Sequence, residues 1–195
     1  MDTIRVEQTQ DVLVRTAAVI AEQRQFAQRL RQRTVADPLT GLPVRSLLVD
    51  RLELALSGAG NETGRLAVLS VDLDGIATLE TAHGHRVADR ARSEAAGRLV
   101  SAVRQGDVVA RTGPQTFVLL CPGIHVPEDA HRIGRRVGEL LDRPLHPAPH
   151  LTHRVRVSVG VALSGRASTA DSLLAGAAEA MDRVRGERQG TGRHG

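Results

Sequence analysis

The sequence predicts an α+β protein: short strands flanked by helices, with one long helix at the N-terminus. Three observations carry this expectation. Two apolar runs lie on either side of Thr112-Gly113-Pro114-Gln115 and read as a β-hairpin. The nearly continuous apolar run from Arg65 to Asp72 is the pattern of a central strand buried on both faces. Between and around these runs, apolar residues recur at helical spacing, as in Val87, Ala91, Ala95, Leu99 and Val103.

Composition bounds the rest. A chain of 195 residues is one domain plus an appendage, and a domain of that size buries roughly two-thirds of its unfolded surface. Hydrophobic residues make up 41% and charged residues 25%, an ordinary soluble composition. Trp and Tyr are missing and there are only 2 Phe, so the core falls to Leu, Val, Ala and Ile. The formal charge is +4, and every basic residue is arginine. Those arginines are scattered and almost no aromatics accompany them, which argues against nucleic-acid binding. The single cysteine excludes an internal disulfide, and Cys121 at the end of an apolar strand reads as a buried small hydrophobe. The first ten residues lack the apolar segment of a leader, and no run reaches the roughly 18 apolar residues of a membrane span, so a cytoplasmic protein is expected.

Taken in order, the stretch from Val6 to Thr34 has neither Gly nor Pro, and apolar residues recur at sevens as Val12/Val19/Phe26 and Leu13/Ile20/Ala27. This is the pattern of a long helix, over residues 1–36, whose stripe suits a coiled coil with a second copy, giving a homodimer, or packing against the globular domain itself. Asp37-Pro38-Leu39-Thr40-Gly41-Leu42-Pro43 then breaks the helix, with Asp37 placed to bond backbone N–H groups and Gly41 free to take a left-handed conformation. A helix over 46–56 buries Leu48, Leu52 and Leu56, and a loop follows to Gly64. After the hairpin, a helix starts near Pro127 with Glu128 and Asp129 in its first turn and Ala130, Ile133, Val137 and Leu141 inward. The segment 142–153 reads as a solvated loop, its histidines His146, His150 and His153 lacking the frame of a metal site. Strict alternation over 154–160 predicts a strand with one wet face. A capping box of Ser168 and Asp171 opens the last helix, which buries Leu173, Leu174, Ala177, Met181 and Val184. Residues 187–195, rich in Gly, Arg and Gln, read as a disordered tail.

Several of these stretches carry more specific patterns. The turn at 37–42 matches DxLTGL. The run Asp72-Leu73-Asp74 through Gly84-His85 to Asp89 keeps, without a gap, the spacing of DxDxFKxxNDxxGHxxGD. Together with the hairpin, they make residues 37–186 resemble the GGDEF family of diguanylate cyclases. The resemblance implies a nucleotidyl-cyclase, palm-like fold with a mainly antiparallel sheet flanked by helices. It also implies that Asp72 would hold Mg²⁺, that position 80 and Asp89 would read guanine, and that a cation near the end of the last helix would meet phosphate, here Arg185.

Against that pattern, the family's turn motif is replaced by Gly113-Pro114-Gln115-Thr116-Phe117. Divalent cations need charged oxygen ligands, and Gln115 offers a neutral amide where the family keeps an acid. Pro114 removes an N–H and adds a ring where the family keeps glycine. The expectation is a degenerate domain with no catalytic residues, no metal and no cofactor, and a vestigial nucleotide site at Asp72, Asp74, Glu80, Asp89 and Arg185. Arg104-Gln105-Gly106-Asp107 sits where many family members carry RxxD, the mark of an inhibitory site for cyclic di-GMP. A planar guanidinium can fork onto guanine O6 and N7, and Arg135 falls where such members add an arginine. The expected function is that of an inactive receptor or regulator that binds cyclic di-GMP through Arg104, Asp107 and Arg135 and acts on a partner protein. Two other readings are a ligand-independent interaction or dimerisation module, and a weak or divergent GTP-binding cyclase.

Overall fold

The computed structural model describes residues 35–59 and 65–191, with side chains over 35–58 and 65–188. The long helix and coiled coil expected over residues 1–36 fall almost wholly outside the described residues, as do most of the loop before Arg65 and the last four residues. Residues from Ala36 onward form one compact unit.

Eleven elements follow one another: α1 (Arg45–Ala59), β1 (Leu66–Asp74), α2 (Ile76–His83), α3 (His85–Ala102), β2 (Val108–Arg111), β3 (Thr116–Pro122), α4 (Pro127–Leu141), β4 (Leu145–Ala148), β5 (Leu151–His153), β6 (Arg156–Leu163) and α5 (Ala170–Thr191). The main sheet has the order β2-β3-β1-β6, and every pairing in it is antiparallel. The fold is therefore the α+β palm that the resemblance implies.

The apolar run of β1 is what makes it central, since each residue from Leu66 to Leu73 is buried. Alternate side chains feed two cores, as the strand period requires. Leu69, Val71 and Leu73 pack with Ala91, Ala95 and Leu99 of α3 and Val137 and Leu141 of α4. On the other face, Val68 packs with Leu48 and Leu52 of α1 and Leu173, Leu174 and Ala177 of α5. Both cores are aliphatic apart from Phe117 and Cys121, which are fully buried. Register then places Asp72 opposite Thr116 on one side and Ser158 on the other, so the carboxylate end of β1 meets the hairpin turn.

Several local expectations are corrected. The segment 142–153 is a two-stranded ribbon, β4 with β5, because Leu145 is fully buried and anchors it under α3. His150 turns its corner with φ 62°, His146 donates its backbone N–H to Glu94 at 2.8 Å, and His153 reaches the Gly75 carbonyl at 3.3 Å. Strand β6 begins at Arg156 and runs on to Leu163 through its pairing with β1. The last helix is capped by Thr169 and Ser172, which exchange bonds of 3.1 and 2.9 Å, while Ser168 accepts from Gly165. That helix continues to Thr191, so residues 187–191 are helical where a disordered tail was expected.

Candidate functional site

The hairpin turn and the segment 37–42 form one wall of a cleft. Asp37 Oδ1 accepts from Thr40 N at 2.8 Å and Thr40 Oγ1 at 2.7 Å, and Gly41 takes φ 70°, as the sequence implied. Arg111, at the end of β2, donates to both Asp37 oxygens at 3.0 and 3.1 Å, then to Gly113 O and Pro114 O. One guanidinium thus fixes the hairpin tip to the turn. Burial works to raise the Asp37 pKa, but the bonds from Thr40 and Arg111 outweigh it and hold the carboxyl below its usual range.

Across the cleft, α2 and α3 meet at Gly84 and bring Glu80 and Asp89 together. Between them lies Arg92, the sole buried arginine among the described residues. Its Nη2 meets Glu80 Oε2 at 2.5 Å, its Nη1 meets Asp89 Oδ1 at 2.8 Å, and its Nε donates to Pro114 O at 3.1 Å. His85 lies across the two other oxygens, at 2.7 Å from Glu80 Oε1 and 3.2 Å from Asp89 Oδ2. Bonds from Arg92 and His85 hold the Glu80 carboxyl below the ordinary range. These residues line a cavity of about 640 Å³ that also takes in Thr112 and Gly113. Glu80 and Asp89 were legible from motif spacing, whereas Arg92 and Arg111 were not singled out. The only sequence signal for Arg92 is its i, i+3 relation to Asp89.

Asp72 and Asp74 end β1, and they differ sharply. The Asp72 side chain is 5% exposed, with Arg185 Nη1 at 3.7 Å and the Thr116 hydroxyl at 3.4 Å. Burial is the largest influence on it and pushes its pKa up despite Arg185. Asp74 is half-exposed and faces Arg156 at 3.7 Å. Arg185 also pairs with Asp182 at 2.7 Å. Among the described residues, no three His, Cys, Asp or Glu side chains converge in a way that could hold a metal ion.

The Arg104 turn lies away from the cleft, behind the far end of the hairpin. Asp107 has a side chain only 2% exposed, and its carboxylate accepts from Arg104 N at 3.1 Å and Arg104 Nε at 3.4 Å. Arg104, with a 58% exposed side chain, donates further to Pro122 O at 2.5 Å and Gly123 O at 3.2 Å. Asp107 therefore holds Arg104 in place and presents no free edge to a ligand. A cavity of about 360 Å³ adjoins this pair, lined also by His125, Arg132 and Arg136. Arg135 does not join it. The helix phase turns Arg135 toward a separate cavity of about 890 Å³ with Val157, Val159 and Val161, and the arginines of α4 beside Arg104 are Arg132, with a 68% exposed side chain, and Arg136, which also donates to the Ala102 carbonyl.

An antiparallel palm whose central strand ends in carboxylates against a hairpin turn defines a nucleotidyl-cyclase type of domain. Residues 34–191 match the family described as diguanylate cyclase, GGDEF domain, and the chain belongs to that family. It is 35% identical over 168 residues to the bifunctional diguanylate cyclase/cyclic di-GMP phosphodiesterase MucR of Pseudomonas aeruginosa, covering 86% of this chain and 24% of that protein. It is 32% identical to the diguanylate cyclase TpbB of the same species over 74% of this chain and 34% of the relative. The chain thus spans about a quarter and about a third of the length of these two relatives. Among solved structures, the isolated GGDEF domain of TpbB superposes with a TM-score of 0.73 at 29% identity, covering 78% of this chain and 89% of that one. A sensory box/GGDEF family protein from Caulobacter crescentus gives 0.72 at 32% identity, covering 79% and 99%. No described helix is long and apolar enough to cross a membrane.

Proposed function

We propose that this chain is a non-catalytic GGDEF domain that binds cyclic di-GMP on the Arg104 surface and passes that signal to a partner protein. The names of its relatives supply the ligand class, cyclic di-GMP being the product or substrate of MucR. One observation carries the location. Three arginines, Arg104, Arg132 and Arg136, line a single cavity, and Arg104 is held there by the buried Asp107 carboxylate. Guanidiniums suit both the phosphates and the O6/N7 edge of guanine, so charge and geometry agree. The pair adopted here is Arg104 with Arg132 in place of Arg135, and Asp107 acts through Arg104.

Lack of catalysis rests on the donor set. Magnesium with a triphosphate needs several charged oxygens, and the carboxylate best placed to start such a set, Asp72, is already faced by Arg185 and Thr116. Gln115 adds a neutral amide, and the carbonyl of Pro114 is taken by Arg92 and Arg111. These residues do not fit the metal. Dimerisation through the N-terminal helix is supported by its heptad stripe alone.

Calorimetry with cyclic di-GMP tests the reading. Saturable heat is expected from the full chain, with affinity at least tenfold weaker for Arg104→Ala and for Arg132→Ala and unchanged for Arg135→Ala, since losing a hydrogen bond to a charged group costs about 1.5–3 kcal/mol. Absence of heat, or equal affinity for Arg104→Ala, overturns it.

A further inference from the structure

We propose that Arg92 is a built-in ligand: its guanidinium fills the slot between Glu80 and Asp89 as the N1–H/N2–H edge of a guanine base would, and keeps free purines out of the hairpin cleft.

The slot between the two carboxylates is already occupied. Each of the four carboxylate oxygens of Glu80 and Asp89 already faces a nitrogen of Arg92 or His85, at 2.5 to 3.2 Å. Each oxygen keeps a second lone pair, but a base that would bond both carboxylates must enter the space between them, which the Arg92 guanidinium fills. Arg92 is also the harder of the two to displace, because its side chain is 8% exposed whereas that of His85 is 72% exposed. A third bond, from Arg92 Nε to the Pro114 carbonyl, ties the same guanidinium to the hairpin turn.

The second step is chemical likeness. A guanidinium presents parallel N–H bonds from a planar N–C–N unit, and guanine presents N1–H and N2–H from a planar N–C–N unit of the same kind. Two carboxylates that grip the first are suited to the second. Adenine offers an N1 acceptor at the matching position and would set a lone pair against carboxylate. Tethering favours the internal group, because Arg92 springs from α3 itself, one turn beyond Asp89, and pays no association cost. Its charge adds to this, since it offsets one of two neighbouring negative charges while a neutral base offsets none.

The inference concerns the cleft alone and stands whether or not the Arg104 surface binds cyclic di-GMP. Its test is therefore read at the cleft, by amide shifts over residues 80–92, with shifts over 104–136 scored separately. In the wild type, titration with guanosine is expected to leave 80–92 unmoved. The Arg92→Ala chain is expected to melt below the wild type and to regain at least half of the lost melting temperature with millimolar guanidinium chloride. Guanosine should shift its 80–92 amides saturably, and adenosine should not. If Arg92→Ala does not fold unaided, Arg92→Gln, which keeps one amide donor, is scored by the same criteria. Saturable guanosine shifts at 80–92 in the wild type overturn the proposal regardless of any variant. So does a folded Arg92 variant that ignores guanidinium or responds equally to adenosine.

Discussion

Gly160 gives the sharpest test of how the sheet and its last helix fit. It lies in β6, opposite Ser70 of β1. A Cβ there would come within 2.7 Å of the Ala180 carbonyl carbon of α5, and closer still to Met181 N and Ala177 O. These are backbone atoms, so no rotamer change relieves the clash, and the helix must lift from the sheet. Overpacking in a core costs about 1–3 kcal/mol when side chains can yield. With a backbone as the obstacle, Gly160→Ala belongs at the upper end, about 3 kcal/mol, which for a domain of this size lowers the melting temperature by roughly 6–12 °C. Gly138 is the control, since it lies in α4 and a Cβ there meets nothing within 4 Å. The same substitution at Gly138 should raise stability by about 0.5–1 kcal/mol through lost unfolded-state entropy. Thermal and urea unfolding of the two variants measure both effects. A Gly160→Ala chain that melts with the wild type, or two variants that shift alike, would refute the packing argument.

Acid sensitivity should divide by residue. The folded Glu80 and Asp37 carboxyls lie below their ordinary values, so their contribution is complete above those values and is lost as pH falls through the folded ones. Asp72, raised by burial, has the opposite sign: the folded chain takes up its proton first, which relieves a penalty as pH falls. Urea midpoints followed from about pH 6 to about pH 3 should therefore fall less steeply in Asp37→Asn and more steeply in Asp72→Asn. An unchanged slope in Asp72→Asn counts against the assignment. Cys121 is fully buried and its thiol is pushed up to about 12 by burial, so a thiol reagent at mildly alkaline pH should modify it only after denaturant is added. Rapid labelling of the native chain would show that β3 opens.

Much of the fold was legible because it rests on local pattern. The apolar run at 66–73, the hairpin signals around Thr112–Gln115 and the Asp37–Gly41 turn each needed only neighbouring residues to be read. The ribbon at 145–153 was missed because its anchor, Leu145, is one apolar residue among prolines and histidines, and its burial is decided by α3. The extension of α5 to Thr191 was missed because composition alone cannot report a helix already propagating from its packed first turns.

The site divides along the same line. Which carboxylates and arginines exist, and at what spacing, is written in the sequence, and so is the neutral amide at Gln115. Which of them touch is a matter of three dimensions. Helix phase alone sends Arg132 toward Arg104 and Arg135 toward the valines of β6. Arg92 meets Glu80 only because α2 and α3 fold back on each other at Gly84, bringing together charges that a linear reading leaves on separate solvated helices. Short-range periodicity determined the elements, and the packing of those elements decided which charges are answered from within the chain.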